Sequence, residues 1–341
     1  MWKQTTRHEA NLRIWQEELE DFVPRRILDF HVHIFDRASL RSGHETWSCA
    51  GHPISHYDFD DFTEDLADAY PGRQTLAVCF GLPDPKQFDQ HRNDAYVAAG
   101  CDRKRFFALR LIDPVEDPDA VRRDIQQRGF VGLKPYPRFV PKADVNQVEI
   151  REMLPAPIMR VADELGLVIM LHIPRAQRLA DPLNQRQLVE LCQSYPNARI
   201  VLAHIGRAYY LKNIVGNLHN LRALPNLYYD LTMVNHWEVM EYLFQTVAPH
   251  KIIFGTDIPI ALAPGKSVEI NDQYTYVTPV PWELSICDIH RKLVFTSFLY
   301  EQIRAIKKAV QRCGLGRDFV EGVFYSNGMK LLTPWLAQAG A

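Results

Sequence analysis

The residues of this chain best equipped for chemistry are four histidines and an aspartate at the ends of apolar runs. His31 and His33 stand two apart in RILDFHVHIF. Residues i and i+2 of an extended chain project to the same face, so both imidazoles can address one point, an arrangement that suits a divalent metal. His172 closes LVIMLHIP, His204 closes RIVLAHIG, and Asp257 follows the apolar start of KIIFGTDIP. Singly, each has an ordinary explanation: a histidine there is commonly a hydrogen-bonded core residue, and an aspartate commonly caps a turn. Those unrelated causes would have to coincide at four separate runs, whereas one metal centre accounts for all of them.

The elements that must carry these side chains recur along the chain. Short apolar runs rich in β-branched and aromatic residues begin near Arg26, Thr75, Arg105, Phe130, Leu167, Arg199, Leu227 and Lys251. Stretches of helical periodicity, such as DFTEDLADAY, DPDAVRRDIQQRG and NQRQLVELCQSYP, separate them. The runs are apolar on both faces, as strands of a parallel sheet covered by helices must be. An open doubly wound sheet would read the same way. The count of eight, and the charged or imidazole residues at the strands' C-terminal ends, favour a closed (β/α)8 TIM barrel of the α/β class.

Two long excursions, residues 36–73 and 259–282, follow strands one and eight and would cap the mouth. The first holds His44, Trp47, His52, His56 and Tyr57, and the second Lys266, Glu269, Tyr274, Tyr276 and Trp282, all candidates for substrate contact. Residues 1–25 read as an N-terminal helical extension. Residues 26–341 read as one barrel domain that includes a helical tail from about Asp288.

Composition narrows the partners. With 39 basic and 41 acidic residues the formal charge is −2, leaving no excess to hold a nucleic-acid backbone or an anionic membrane. The six cysteines form no CxxC pair, the N-terminal stretch lacks the apolar centre of a signal peptide, and no window approaches eighteen apolar residues. The expectation is a cytoplasmic protein. Gly314-Leu315-Gly316 lacks the rest of a dinucleotide loop, and Tyr209-Tyr210 and Tyr228-Tyr229 read as packing, not a base-stacking platform.

Taken in order, DFHVHIFD, GFVGLKPYP, VIMLHIPR, IVLAHIGR, LYYDLT, IIFGTDIP and GVFYSNGMKLL resemble the amidohydrolase superfamily, over roughly Ile27 to Leu332. The similar branch includes aminocarboxymuconate-semialdehyde decarboxylase and related hydrolases, lactonases and hydratases. That resemblance implies that His31, His33, His172 and Asp257 bind the metal, leaving a position open for water or substrate. His204 would act beside it as general acid or base, and Asp257 would help orient the water. Zn²⁺ in such a site lowers the pKa of bound water to about 7. Asp29 or Asp230 could accept a hydrogen bond from the far nitrogen of a ligating imidazole.

Lys134 ends the fourth run. In some members of the wider superfamily a carboxylated lysine at this strand bridges two metals. The branch resembled here implies one divalent ion, with Lys134 binding a substrate carboxylate. Arg175 and Arg207 each follow a histidine by three residues, and a guanidinium fork at either place could grip the same anion. The expected activity is hydrolysis of a small carboxylated ester, lactone or amide. Nonoxidative decarboxylation of a small carboxylic acid is the runner-up, and a metal-free lactonase or a non-catalytic binding barrel ranks below it. The resemblance also suggests a homodimer.

Overall fold

The structure, a computed structural model, describes residues 9–336; residues 1–8 of the anticipated N-terminal extension lie outside the described residues, as do 337–341. The barrel strands are β1 (Arg26–His33), β2 (Gln74–Phe80), β3 (Phe106–Ile112), β4 (Gly132–Pro135), β5 (Val168–Leu171), β6 (Arg199–Leu202), β7 (Leu227–Asp230) and β8 (Ile252–Ile253). Each pairs in parallel with the next, in chain order. From Ile27 onward every residue of β1 is buried, as is all of β3, the mark of strands covered on both faces.

Closure runs through the segment after β8. Phe30 N–H donates to Phe254 C=O at 3.0 Å, Asp257 N–H to His31 C=O at 2.8 Å and His33 N–H to Ile258 C=O at 2.8 Å. The eighth run is thus shorter as a regular strand than its apolar stretch suggests. At Gly255 a Cβ would lie 2.5 Å from Thr232 Oγ1 and 2.9 Å from His31 Cβ, so only glycine lets the chain pass this close to β1.

The covering helices are α1 (Phe59–Ala69), α2 (Gln90–Gly100), α3 (Pro118–Arg128), α4 (Ala156–Glu164), α5 (Pro182–Ser194), α6 (Trp237–Thr246) and α7 (Phe298–Arg312). Asp58, Asp89, Asp117, Asp181 and Ser297 accept backbone N–H groups at the starts of α1, α2, α3, α5 and α7, and Pro118 and Pro182 open α3 and α5. The N-terminal segment from Glu9 to Leu19 is helical and docks through buried Trp15, whose ring stacks on Tyr300 of α7 at 6.2 Å.

The excursion after β8 is a small sheet, not an irregular loop. It comprises β9 (Lys266–Ile270), β10 (Gln273–Thr278) and β11 (Ser285–Cys287), with β9 and β10 antiparallel and β11 parallel to β10. Asn271 and Asp272 turn the hairpin at φ +50° and +58°, the left-handed pair a two-residue turn requires. The helical tail accordingly starts at Phe298, ten residues later than its sequence suggests, because 288–297 runs beside this lid without regular structure. The first excursion carries an antiparallel ribbon, Trp47–Cys49 with His52–Ile54, and α1. Ribbon and lid meet where a Cβ on Gly51 would lie 2.3 Å from Pro281 O. No described helix is long and apolar enough to cross a membrane.

Candidate active site

The C-terminal ends of β1, β4, β5, β6 and β8 open into one cavity of about 540 Å³, lined by His31, His33, Lys134, His172, His204, Arg207 and Asp257 among others. Pleating puts His31 and His33 on the same side of β1, with ring centroids 5.5 Å apart. Their Nε2 atoms lie 3.5 and 3.0 Å from Asp257 Oδ1. The three ligand atoms fall within 4.8 Å of one another. His172 and His204 complete the floor: their rings are 5.2 Å apart, and His204 is 5.1 Å from His31.

Hydrogen bonds behind the rings fix which nitrogens face inward. His31 Nδ1 donates to Asp230 Oδ2 at 2.8 Å, His33 Nδ1 to Gly81 C=O at 3.0 Å, and His204 Nδ1 to Thr232 C=O at 3.1 Å. A neutral imidazole that donates from Nδ1 carries a lone pair on Nε2. Burial first, and the Lys134 charge second, hold His31 well below the usual imidazole range; burial likewise takes His204 down to about 4. Burial alone would raise Asp257, but the His33 hydrogen bond and the imidazoles of His31, His33 and His204 hold it far below the usual carboxylate range. The inward Nε2 atoms of His31 and His33 and the Asp257 carboxylate thus converge on one point of the cavity floor. The donor set of nitrogens and carboxylate fits a divalent transition ion such as Zn²⁺.

Asp230 binds twice. Its Oδ1 accepts the His204 backbone N–H at 2.6 Å while Oδ2 holds His31. His204 through Arg207 all have φ between +54° and +66°, a run of left-handed residues costly for side chains bearing Cβ and stabilised here by that bond. Of the two aspartates expected behind the ligands, Asp29 does something else. It accepts from Thr256 N–H at 3.0 Å and Thr256 Oγ1 at 2.5 Å, sealing β1 to the chain after β8.

The three expected substrate cations part company. Lys134 Nζ lies 3.3 Å from His31 Nε2 and 4.6 Å from the Phe80 ring centroid, and burial lowers its ammonium to about 8. Arg207 lines the cavity and, among the described residues, donates only to the carbonyls of Ile173 and Arg175, at 3.3 Å each. Arg175 is not brought to the cavity: its Nε pairs with Asp181 Oδ1 at 2.9 Å, the carboxylate that caps α5.

From the two excursions Trp47, Tyr274, Tyr276 and Trp282 reach the cavity wall; His44, His52, His56, Tyr57, Lys266 and Glu269 do not. Tyr57 is fully buried and bonded to Asp65, and Lys266 pairs with Glu301. Sequence reasoning passed over Tyr136 and Arg138, which directly follow Lys134 and line the cavity; Arg138 pairs with Asp84 at 2.6 Å. Tyr209, expected to pack, does both: it lines the cavity and stacks on Tyr274 of the lid at 4.5 Å.

Residues 28–276 match the family model Amidohydro_2, described as amidohydrolase. The chain belongs to this family. No curated protein matches it. An amidohydrolase of Burkholderia multivorans with bound zinc is 15% identical, with a TM-score of 0.57 over 90% of this chain and 99% of that one. The 5-carboxyvanillate decarboxylase of Sphingomonas paucimobilis is 14% identical, with a TM-score of 0.53 over 91% and 99%. An amidohydrolase 2 of Bifidobacterium longum subsp. infantis is 14% identical, with a TM-score of 0.55 over 91% and 99%. At these identities the likeness establishes the shared barrel and leaves this amidohydrolase's substrate to its own residues.

Proposed function

We propose that this protein is a metal-dependent hydrolase of a small carboxylated ester, lactone or amide. The observation that carries the reading is the convergence of His31 Nε2 and His33 Nε2 on the Asp257 carboxylate, with the far ring nitrogens held by Asp230 and the Gly81 carbonyl. His31, His33, His172 and Asp257 would hold one divalent ion, taken to be Zn²⁺. When bound it supplies a Lewis acid that polarises a carbonyl and acidifies a water.

The remaining steps belong to the chain itself. Lys134 and Arg207 hold the substrate carboxylate, since among the described residues neither cation has a carboxylate partner of its own at hydrogen-bond distance. His204, low in pKa and free at Nε2, moves a proton between water and leaving group, with Asp257 orienting the water. The aromatic lid excludes bulk solvent. The same cations would serve a carboxylate about to leave as carbon dioxide, so decarboxylation is the second reading.

The test is metal analysis of wild type, His172→Ala and Asp257→Asn, with lactones and carboxylated aromatic acids assayed with and without chelator. About one equivalent of metal in the wild type, reduced in both variants, is the expected result for a mononuclear site. Chelator-sensitive ring opening supports hydrolysis, and chelator-sensitive carbon dioxide release supports the second reading. Metal-free protein that still turns over would sink both.

A further inference from the structure

Arg178 occupies a position that does not suit an arginine. It opens the turn Arg178–Ala180, between β5 and α5, with φ at +57°, a left-handed conformation that is costly for a residue with a Cβ. The buried amide of Asn184 pins this segment by donating to the carbonyls of Pro174 and Arg178, at 2.8 and 2.9 Å. Among the described residues, Arg178 Nε and Nη1 are buried with no hydrogen-bond partner, and Asp181, three residues on, pairs with Arg175. What the guanidinium meets is aromatic. Its Cζ lies 4.5 Å from the ring centroid of Tyr274 and 5.3 Å from that of Tyr209, and those two rings stack on each other at 4.5 Å. A cation against desolvated aromatic faces is attracted to them, which offsets the strained turn and the unpaired N–H groups.

The stack joins two distant parts of the chain at the cavity mouth. Tyr274 belongs to β10 of the lid, Tyr209 follows the left-handed turn that presents His204, and both line the cavity. The Tyr209 ring is 5.7 Å from that of His204. At its inner end the lid hairpin is tied down: Gly265 N–H donates to Thr296 C=O at 3.0 Å, Ser267 N–H to Asn235 Oδ1 at 2.9 Å, and Lys266 pairs with Glu301. The outer end differs. Among the described residues, 270–275 make no hydrogen bond outside the lid other than the 3.4 Å contact of Lys212 with Asp272, both exposed. Solvent screens such a pair. A hairpin hydrogen-bonded at one end and stacked at the other opens most readily at the stack.

We propose that Arg178 is a positioning residue that latches Tyr274 of the lid onto Tyr209 and so holds the lid over the cavity beside His204. Closure excludes water and completes the wall from which Tyr274 and Tyr276 face the substrate. Without the guanidinium the two tyrosines keep only their mutual stacking, and the outer hairpin opens more often. The latch itself rests on the contacts of the lid; only its kinetic consequence rests on the reaction assigned to the cavity.

Hydrogen exchange of the full chain, read by mass spectrometry, tests this. Arg178→Gln is expected to speed exchange in peptides covering residues 266–278 roughly tenfold, what one desolvated cation–π contact permits, and to leave peptides from β5 and β6 unchanged. Tyr274→Leu approaches the same contact from the lid and is expected to match it, whereas Tyr274→Phe, which keeps the ring, and Arg178→Lys, which keeps the cation, stay close to wild type. The double variant Arg178→Gln with Tyr274→Leu should exchange less than additively, because both changes remove one contact. With a substrate found in the assays above, Arg178→Gln should lower kcat/KM about tenfold at unchanged metal content, and Arg178→Lys should recover most of it. Failure to find any turnover strikes the hydrolase reading and leaves the exchange result standing. A hairpin whose exchange ignores Arg178→Gln, a Tyr274→Phe variant as fast as Tyr274→Leu, or acceleration spread through the whole barrel overturns the latch.

Discussion

His31 and Asp230 are joined by a 2.8 Å hydrogen bond, and the other oxygen of the same carboxylate holds the backbone of His204 at 2.6 Å. One buried side chain thus aims a cavity-facing imidazole and braces the turn that presents a second. Asp230→Asn preserves shape but removes the anion, and its amide can no longer accept at both oxygens. Zn²⁺ affinity should fall about 10- to 100-fold, measured by competition with a chromophoric chelator. An unchanged affinity would show that Asp230 does not orient His31.

Lys134 separates a one-metal from a two-metal centre. Its ammonium lies 3.3 Å from His31 Nε2, which suits a cation that holds a substrate carboxylate beside the candidate metal ligands. Lys134→Met should therefore leave metal content unchanged and lower kcat/KM for an anionic substrate by roughly 10- to 100-fold, the effect of one charge-assisted hydrogen bond. If the variant instead loses one of two equivalents of metal, the lysine belongs to the metal shell.

Arg207 and Arg175 make a matched comparison, since each follows a barrel histidine by three residues. Arg207→Gln should raise KM for a carboxylated substrate about tenfold or more, because among the described residues its guanidinium otherwise meets only carbonyl oxygens. Arg175→Gln should leave KM unchanged and cost about 1 kcal/mol or less of stability by loosening the Asp181 pair. Equal kinetic damage in both variants would refute the distinction.

That pair also shows where the sequence stops being informative. The histidines at strand ends were legible because strand period and barrel closure act on local pattern: His31 and His33 had to share a face, and eight apolar runs had to bring their ends together. Arg175 and Arg207 look equivalent in sequence because the carboxylate that captures Arg175 belongs to the start of α5. Tyr136 and Arg138 were hidden for a related reason: their approach to the cavity depends on the turn at Pro137–Phe139 and on Asp84 in a different loop. The lid sheet was missed, because the stretch after β8 showed only as a long excursion and what the sheet packs against lies far away in the chain. His172 reaches the cavity as expected, outside the tight cluster of His31, His33 and Asp257.

Glu301 gives the lid a pH-dependent anchor. It stands in α7, receives Lys266 Nζ of β9 at 2.6 Å and Arg304 Nη1 at 2.9 Å, and accepts Thr296 Oγ1 at 3.0 Å. Burial alone would push its carboxyl up, but the Lys266 hydrogen bond and charge, with Arg304, outweigh burial and hold it below the usual range. A depressed folded-state pKa means that the group adds stability above its unfolded value of about 4.3, and that this is lost as pH falls through the folded value. Lys266 is half exposed, so solvent screening limits the contribution to about 1 kcal/mol. Glu301→Gln should therefore unfold at a lower temperature than wild type at pH 7, by a few degrees, with the gap closing once the wild-type carboxyl is protonated in acid. Melting curves across that range check it, and a gap that persists undiminished after protonation would mean that Glu301 acts through packing and not through its charge.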